Sequence, residues 1–405
     1  MNDLAPGFSL QGFRSGRLES RKEAKMEQVR FGVIGAGDAA NFHTLAFKNR
    51  PDANLKFVSV YDVNEKKCSL LAKRMKLTPY SDIEAFFSSG IDAVLICVPH
   101  YLHAEYAARA AAAGKHILCE KPMAPTLEEC DAMINATNRA GVKFMIAENH
   151  RFLPAHRIIR ETIEAGLLGD VYLGRTYEGA FCPASQFLDA GCWHFTCDKG
   201  GGGVLMDQGV HKFALLNWLL GEVESCQAWL GKALDSPECK GEDNAVMHLE
   251  YKNGAMIEVT LSSTTVHPLN NNTELHGTKG HLLEDHSWEK PVRLFSSQPD
   301  AKVKGSYYEI AADHGAYPMY YIISAYHEDT HFADCILNDT LPEFTPKQAR
   351  GAVEVVLLGY LSARLGRATT MDELALEVAA KGGSRHIIED AMPFIRKNFS
   401  QLHWK

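Results

Sequence analysis

The sequence predicts an N-terminal α/β domain with a doubly wound parallel sheet of Rossmann type, followed by an α+β C-terminal domain built on antiparallel strands. Two observations predict the first part. The apolar run Val29 to Ile34 leads into the turn Gly35-Ala36-Gly37-Asp38-Ala39-Ala40, a helix-like segment and a second apolar run, Leu55 to Asp62. Short buried-type strands and helices then alternate strictly as far as about residue 152. A third observation predicts the second part: after about residue 170 the pattern becomes period-two alternation with hairpin signals.

The opening unit is a strand, a glycine turn, a helix and a strand ending in an acid, which is the layout of a dinucleotide-binding site. Gly35 permits the tight turn, Gly37 lets the backbone approach a pyrophosphate, and Ala40 keeps the helix close to the sheet. Asp38 and Ala39 fall at the helix N-terminus, where backbone amides meet phosphates. Asp62 ends the next strand, where a carboxylate binds the adenosine ribose hydroxyls and repels a 2'-phosphate, so NAD is expected rather than NADP.

Helices follow at Asn64 to Met75 and Ile83 to Phe87, then a strand, Ile91 to Val98, that ends in Pro99-His100-Tyr101-Leu102-His103. The alanine-rich helix Ala104 to Ala113 precedes the strand Lys115 to Cys119, which runs into Glu120-Lys121-Pro122. The helix Leu127 to Ala140 starts from Thr126 with Glu129 three residues on, a capping-box pattern. The strand Val142 to Ala147 leads into Glu148-Asn149-His150-Arg151-Phe152. Ligands on such sheets sit at the carboxyl ends of the strands, so Pro99, His103, Glu120, Lys121, Asn149 and Arg151 are expected to border one crevice and hold cofactor.

In the second part, Val171 to Gly179, Cys226 to Gly231, Val246 to Tyr251, Ala255 to Ser262 and Thr273 to His276 read as antiparallel strands, with turns at Asn253-Gly254 and Lys279-Gly280. A helix is expected over Gly203 to Leu220, and two more over about Tyr320 to Leu337 and Lys347 to Leu365, the last started by Thr345-Pro346. The segment between Trp288 and Pro318 is polar and irregular. The division expected is a lead or arm at 1–28, a NAD-binding domain at 29–152, and a substrate-binding and oligomerisation domain at 153–405.

Composition narrows the classes. The 405 residues are enough for two or three domains, and a formal net charge of -8 argues against a phosphate-backbone partner. No apolar run approaches the roughly 20 residues of a membrane helix. The first 28 residues carry no signal-peptide pattern, and ten scattered cysteines suit reduced thiols, so a cytoplasmic protein is expected, with neither nucleic acid nor membrane as partner.

The glycine turn, Cys97-Val98-Pro99 followed by Leu102-His103, Glu120-Lys121-Pro122, and Gly201-Gly202-Gly203 leading into Asp207-x-Gly209-x-His211 together resemble the glucose-fructose oxidoreductase and inositol dehydrogenase family, Gfo/Idh/MocA. The resemblance covers about residues 29 to 366. It implies a C-terminal domain with a large open antiparallel sheet, a homo-oligomer (dimer or tetramer), and oxidation of a secondary hydroxyl on a sugar, glycoside or cyclitol with a nicotinamide cofactor. It also implies that Lys121, Asp207 and His211 surround the reacting hydroxyl, and it suggests a cis Lys121–Pro122 bond. Two positions depart from the pattern: Ala214 stands where many members have an acid, and His194 where an Arg is often found near Trp193.

The chemistry can be argued from the residues themselves. Hydride transfer from a secondary alcohol needs a group that takes the hydroxyl proton. Lys121, partly desolvated beside a cationic nicotinamide, is expected to have a lowered pKa and to bind or deprotonate the substrate oxygen. Asp207 and His211, four apart on a helix, share a face, so the carboxylate is expected to fix the imidazole tautomer and raise its basicity. Phe181, Trp193 and His194 are candidates for the sugar pocket, since aromatic faces cover the apolar face of a pyranose.

Three other readings compete. His327-Glu328-Asp329-Thr330-His331 matches H-E-x-x-H, the motif of a zinc hydrolase, but no convincing third ligand follows and no metal is expected. A NAD-sensing protein without turnover would need no proton acceptor. A redox-neutral enzyme that keeps its NAD, exchanging hydride between sugars or cleaving a glycoside through a transient keto sugar, begins with the same hydride transfer and is not separable by sequence.

Overall fold

The computed structural model describes residues 28–179, 193–233, 240–265, 270–298, 307–312 and 319–395. Strands β1 (Val29–Ile34), β2 (Leu55–Tyr61), β3 (Thr78–Tyr80), β4 (Ala93–Ile96), β5 (His116–Glu120) and β6 (Phe144–Ala147) form one sheet in the order β3-β2-β1-β4-β5-β6. Every pair in it is parallel. Parallel strands are covered on both faces, which is why Ala93, Val94, Leu95 and Ile96 can all be apolar and fully buried. The cover comes from α1 (Asp38–Ala46), α2 (Glu65–Met75), α3 (Ile83–Phe87), α4 (His103–Ala112) and α5 (Leu127–Ala140). Thr126 caps α5 by accepting from the Glu129 amide, and Gly141 ends it in the left-handed conformation. Strand order reverses between β1 and β4, so the loops after these two strands part and leave a crevice.

The second sheet contains β7 (Val171–Gly179), β8 (Val223–Gly231), β9 (Asn244–Tyr251), β10 (Met256–Ser262), β11 (Asn270–Gly277), β12 (Gly280–Asp285), β13 (Val292–Ser296), β14 (Tyr308–Ile310) and β15 (Thr369–Thr370). Their order is β14-β13-β12-β11-β7-β10-β9-β8-β15. The large antiparallel sheet that was expected contains one parallel pair. β8, β9 and β10 form an antiparallel meander, but its last strand docks on β7 in the same direction, so that pair is parallel. β13 and β14 come from the stretch that looked irregular in sequence. The alternation is plain in β9, where Ala245, Met247, Leu249 and Tyr251 are buried and Val246 and Glu250 point outward.

Helices α6 (Pro154–Glu164), α7 (Val210–Leu220), α8 (Met319–Leu337) and α9 (Pro346–Leu365) complete the part that positions the site. α9 starts as expected, with Pro346 at its first turn and a reciprocal capping box between Thr345 and Gln348. Residues Val355 to Ser362 within it are buried all round, since α9 packs on β8, α7 and α5 together. No helix among the described residues is long and apolar enough to cross a membrane.

Candidate active site

The crevice at the strand-order reversal is a cleft of about 550 Å³. Gly35, Gly37, Asp38, Ala39, Asp62, Pro99, Glu120, Lys121, Trp193, His194 and Asp207 all line it. Gly35 has φ +96°, and a Cβ there would lie 2.3 Å from the Cys97 carbonyl oxygen, so glycine is required on both counts. A Cβ on Gly37 would meet nothing within 4 Å, which leaves backbone open to a ligand. Asp62 is fixed at the cleft by two backbone bonds: Ala36 N–H donates to Oδ2 at 2.7 Å and Asn64 N–H to Oδ1 at 2.7 Å. The glycine cradle and a preset carboxylate fit the pyrophosphate and ribose of a dinucleotide. Ala40 is fully buried and seats α1 on the sheet.

Glu120 and Lys121 leave β5 at the same end, and the Lys121–Pro122 bond is cis. Lys121 Nζ donates to Asp207 Oδ1 at 3.0 Å and to the Asp207 carbonyl at 2.9 Å. Burial alone lowers the Lys121 pKa, but Asp207 and then Glu120 outweigh it and the net shift is upward. The expectation of a lowered lysine pKa is set beside a cationic nicotinamide; among the protein's own groups Asp207 and Glu120 raise it, and Lys121 is held as a donor. Burial works against charge on Asp207 too, yet Lys121 brings its pKa well below the usual carboxylate range. Glu120 is held in turn. Its Oε2 accepts from the Lys121 amide, and its Oε1 stands 3.0 Å from His43 Nε2, whose Nδ1 meets Asp329 at 2.9 Å. Burial opposes charge on His43, but Asp329 and Glu120 push its pKa well up, making it a cation between two carboxylates.

The helix expected over Gly203 to Leu220 begins differently: Leu205–Gly209 is a π-helical turn, and α7 proper starts at Val210. Such turns are frequent at functional sites. The glycines before it are packing requirements, since a Cβ on Gly202 would lie 2.0 Å from the Tyr360 hydroxyl and one on Gly203 would lie 1.9 Å from the Glu242 carbonyl. Tyr360 accepts from the Gly203 amide and donates to the Glu242 carboxylate, which also accepts from the Leu205 amide. Burial pushes the Glu242 pKa up from 4.5 to about 7. A carboxyl whose pKa rises on folding stabilises most below its unfolded value, and that contribution drains away as pH rises through the folded one. Replacing Glu242→Gln is therefore expected to remove a loss of up to about 1.4 kcal/mol per pH unit over that window. Urea unfolding at several pH values between the two pKa values checks this, and an unchanged pH slope in the variant would refute it.

His211 does not pair with Asp207, contrary to the expectation from their spacing. Asp207 is taken by Lys121, the stronger, charged donor, and His211 Nδ1 instead meets Glu148 Oε1 at 2.6 Å. Burial lowers the His211 pKa, but Glu148 outweighs it and the net shift is upward. The His150 ring stacks on His211 at 4.4 Å with a 12° tilt. Glu148 was missed in the sequence reading. The available signal was an acid directly after the buried run Phe144 to Ala147, where a carboxylate needs a partner to be tolerated.

Three expected cofactor contacts do not face the cleft. Arg151 is almost fully buried, with its guanidinium 4.5 Å from the Phe344 ring centroid and 5.1 Å from that of Trp218, and it donates to the Glu343 carbonyl. His103 is buried beneath the loop, its two ring nitrogens on the carbonyls of Pro122 and Val98. Asn149 donates to Ser324 Oγ of α8. These residues tie elements together, which serves the shape of the crevice. Phe181 lies outside the described residues. Trp193 and His194 stack at 3.6 Å at the cleft, with His100 edge-on to the indole.

The H-E-x-x-H stretch lies within α8. His331 Nε2 accepts from the Glu343 amide and Asp329 pairs with His43, so these two side chains of the motif have structural partners. Among the described residues, neither His327 nor His331 belongs to a group with metal-ligand spacing.

The model of the oxidoreductase family with an NAD-binding Rossmann fold matches residues 29–148, and that of the GFO/IDH/MocA C-terminal domain matches residues 156–283. The scyllo-inositol 2-dehydrogenase (NAD(+)) of Bacillus subtilis (strain 168) is 28% identical over 359 residues, 85% of this chain and 97% of that protein. The myo-inositol 2-dehydrogenase of Thermotoga maritima is 29% identical over 286 residues, 69% of this chain and 81% of its own. In fold, the chain is similar to levoglucosan dehydrogenase solved with NADH and levoglucosan, with a TM-score of 0.76 at 23% identity over 86% of this chain and 100% of that one. The chain belongs to the Gfo/Idh/MocA family of oxidoreductases and carries that family's NAD-binding Rossmann fold.

Proposed function

We propose that the protein is an NAD-dependent dehydrogenase of a secondary hydroxyl on a sugar, glycoside or cyclitol, with Lys121, Asp207 and His211 around the reacting oxygen. The observation that carries this reading is the Lys121–Asp207 pair at 3.0 Å on the wall of the dinucleotide cleft. NAD, when bound, supplies the nicotinamide carbon that accepts the hydride. Lys121, charged and aimed by Asp207, donates a hydrogen bond to the substrate oxygen and favours its alkoxide-like form. His211, with Nδ1 directed to Glu148, takes the hydroxyl proton at Nε2. Trp193 and His194 offer stacked aromatic surface for the apolar face of a ring substrate.

The open face of the second sheet supports a homo-oligomer: Leu173, Val246 and Met256, from adjacent strands, are exposed there. Asp62 supports the choice of NAD. Asp62→Ser is expected to weaken NAD and to reduce discrimination against NADP, read by titrating both cofactors; tighter binding of NADP by the parent protein would show that Asp62 does not exclude the 2'-phosphate.

The test of the function is NADH absorbance with monosaccharides, inositols and aryl glucosides, after the nucleotide carried by the purified protein has been recorded. Reduction of added NAD by one substrate class establishes the dehydrogenase. Protein that already holds NAD, shows no net reduction and yet converts substrate would replace this reading with a redox-neutral cycle.

A further inference from the structure

Behind His211, the polar residues continue into the second domain. His156 on α6 is fully buried, Glu284 on β12 is 2% exposed, and His286 lies just past the end of β12, two residues beyond Glu284. His286 Nε2 stands 2.8 Å from Glu284 Oε1, and His156 Nε2 stands 3.9 Å from Glu284 Oε2. One atom from each residue lies within 4.8 Å of the others. Two ligand atoms about 2 Å from a zinc ion, at a tetrahedral angle, lie about 3.3 Å apart, and the two observed separations bracket that value.

We propose that His156, Glu284 and His286 bind one first-row divalent cation, of which Zn2+ best suits two imidazoles and a carboxylate. Three features support a cation over an ordinary buried polar cluster. Neither Glu284 oxygen nor His156 Nε2 makes a hydrogen bond among the described residues, although both side chains are removed from water. A buried carboxylate in that state is costly unless a positive charge meets it. No lysine or arginine among the described residues lies within ion-pair distance of Glu284; Lys212, the nearby ammonium, donates to Asn271 and stands 4.0 Å from Glu178. His156 Nδ1 is 2.8 Å from the His150 carbonyl, so Nδ1 carries the proton and Nε2 keeps its lone pair for a metal.

The position gives the cation a structural task. The His150 carbonyl that orients His156 belongs to the same short segment as Glu148, and the His150 ring stacks on His211. A cation there joins α6 to β12 on the far side of the His150 ring, which contacts both His156 and His211. This revises the expectation of a metal-free chain. The ligands at 156 and at 284 and 286 come from a helix and from the end of a distant strand and spell no motif, whereas His331 and Asp329 of the motif that the sequence does spell have other partners.

The test uses untagged full-length protein, dialysed against chelator and reconstituted with ZnCl2. The expected result is about one zinc per chain by mass spectrometry, with a higher unfolding temperature than the apo protein. His156→Gln and Glu284→Gln are each expected to lower zinc affinity at least about 10-fold while NAD binding persists. Wild-type protein that takes up no zinc, or variants that hold it as tightly as wild type, would overturn the proposal. Should the variants not fold, X-ray absorption of the zinc-loaded wild type decides. Two imidazoles with oxygen at about 2.0 Å support the site, and a sulfur-containing shell overturns it.

Discussion

Lys121→Ala is expected to reduce turnover by at least about 100-fold, with NAD affinity changed little. The size follows from what Lys121 does in the cleft. Its ammonium is held between the carboxylate and carbonyl of Asp207, and its pKa is raised despite burial, chiefly by Asp207. A fixed cation beside the substrate oxygen acts most strongly as that oxygen gains negative charge, which is the condition for lowering a barrier instead of only tightening binding. Loss should therefore fall mainly on kcat. Lys121→Arg keeps the charge but replaces a compact ammonium with a planar fork that cannot occupy the same point, so it should restore only part of the rate. Steady-state kinetics and an NAD titration on the three proteins settle the matter. An unchanged kcat in Lys121→Ala would remove Lys121 from the chemistry.

How far the sequence discloses this site depends on which interactions are local. The glycine turn, Asp62 and the strand ends are set by backbone geometry within a single strand-turn-helix unit, so Gly35, Gly37 and Lys121 were placed on the crevice without coordinates. Thr126 and Thr345 likewise declared two helix starts, because a cap needs only its next three residues. Pairing between distant residues is different. Asp207 and His211 look like a pair because four residues make one helical turn, but a lysine 86 positions away claims the aspartate and a glutamate 63 positions away claims the histidine. The chain from Glu120 through His43 to Asp329 crosses from the first sheet to α8, and no local spacing announces it. Arg151 differs again: its place just after a strand's carboxyl end puts it at the crevice by rule, yet here aromatic faces cover it.

Glu148→Gln should separate the proton acceptor from its support. His211 must be neutral to take a proton, so oxidation should fail on the acid side of its folded pKa and level off above it. Burial pulls that pKa down and the Glu148 carboxylate more than restores it. With glutamine in its place the raising influence is gone, the pKa falls, and the acid limb of kcat/KM for oxidation should move to lower pH. The rate on the plateau should fall about 10-fold or more, since a neutral amide neither selects the tautomer protonated at Nδ1 nor stabilises the imidazolium formed in the reaction. His211→Ala, which removes the acceptor itself, should lose at least about 100-fold and show no such limb. A purely structural role for Glu148 predicts a different outcome, a lower amount of active protein with the same pH profile. If the limb stays in place in Glu148→Gln, another group accepts the proton and His211 serves only to shape the pocket.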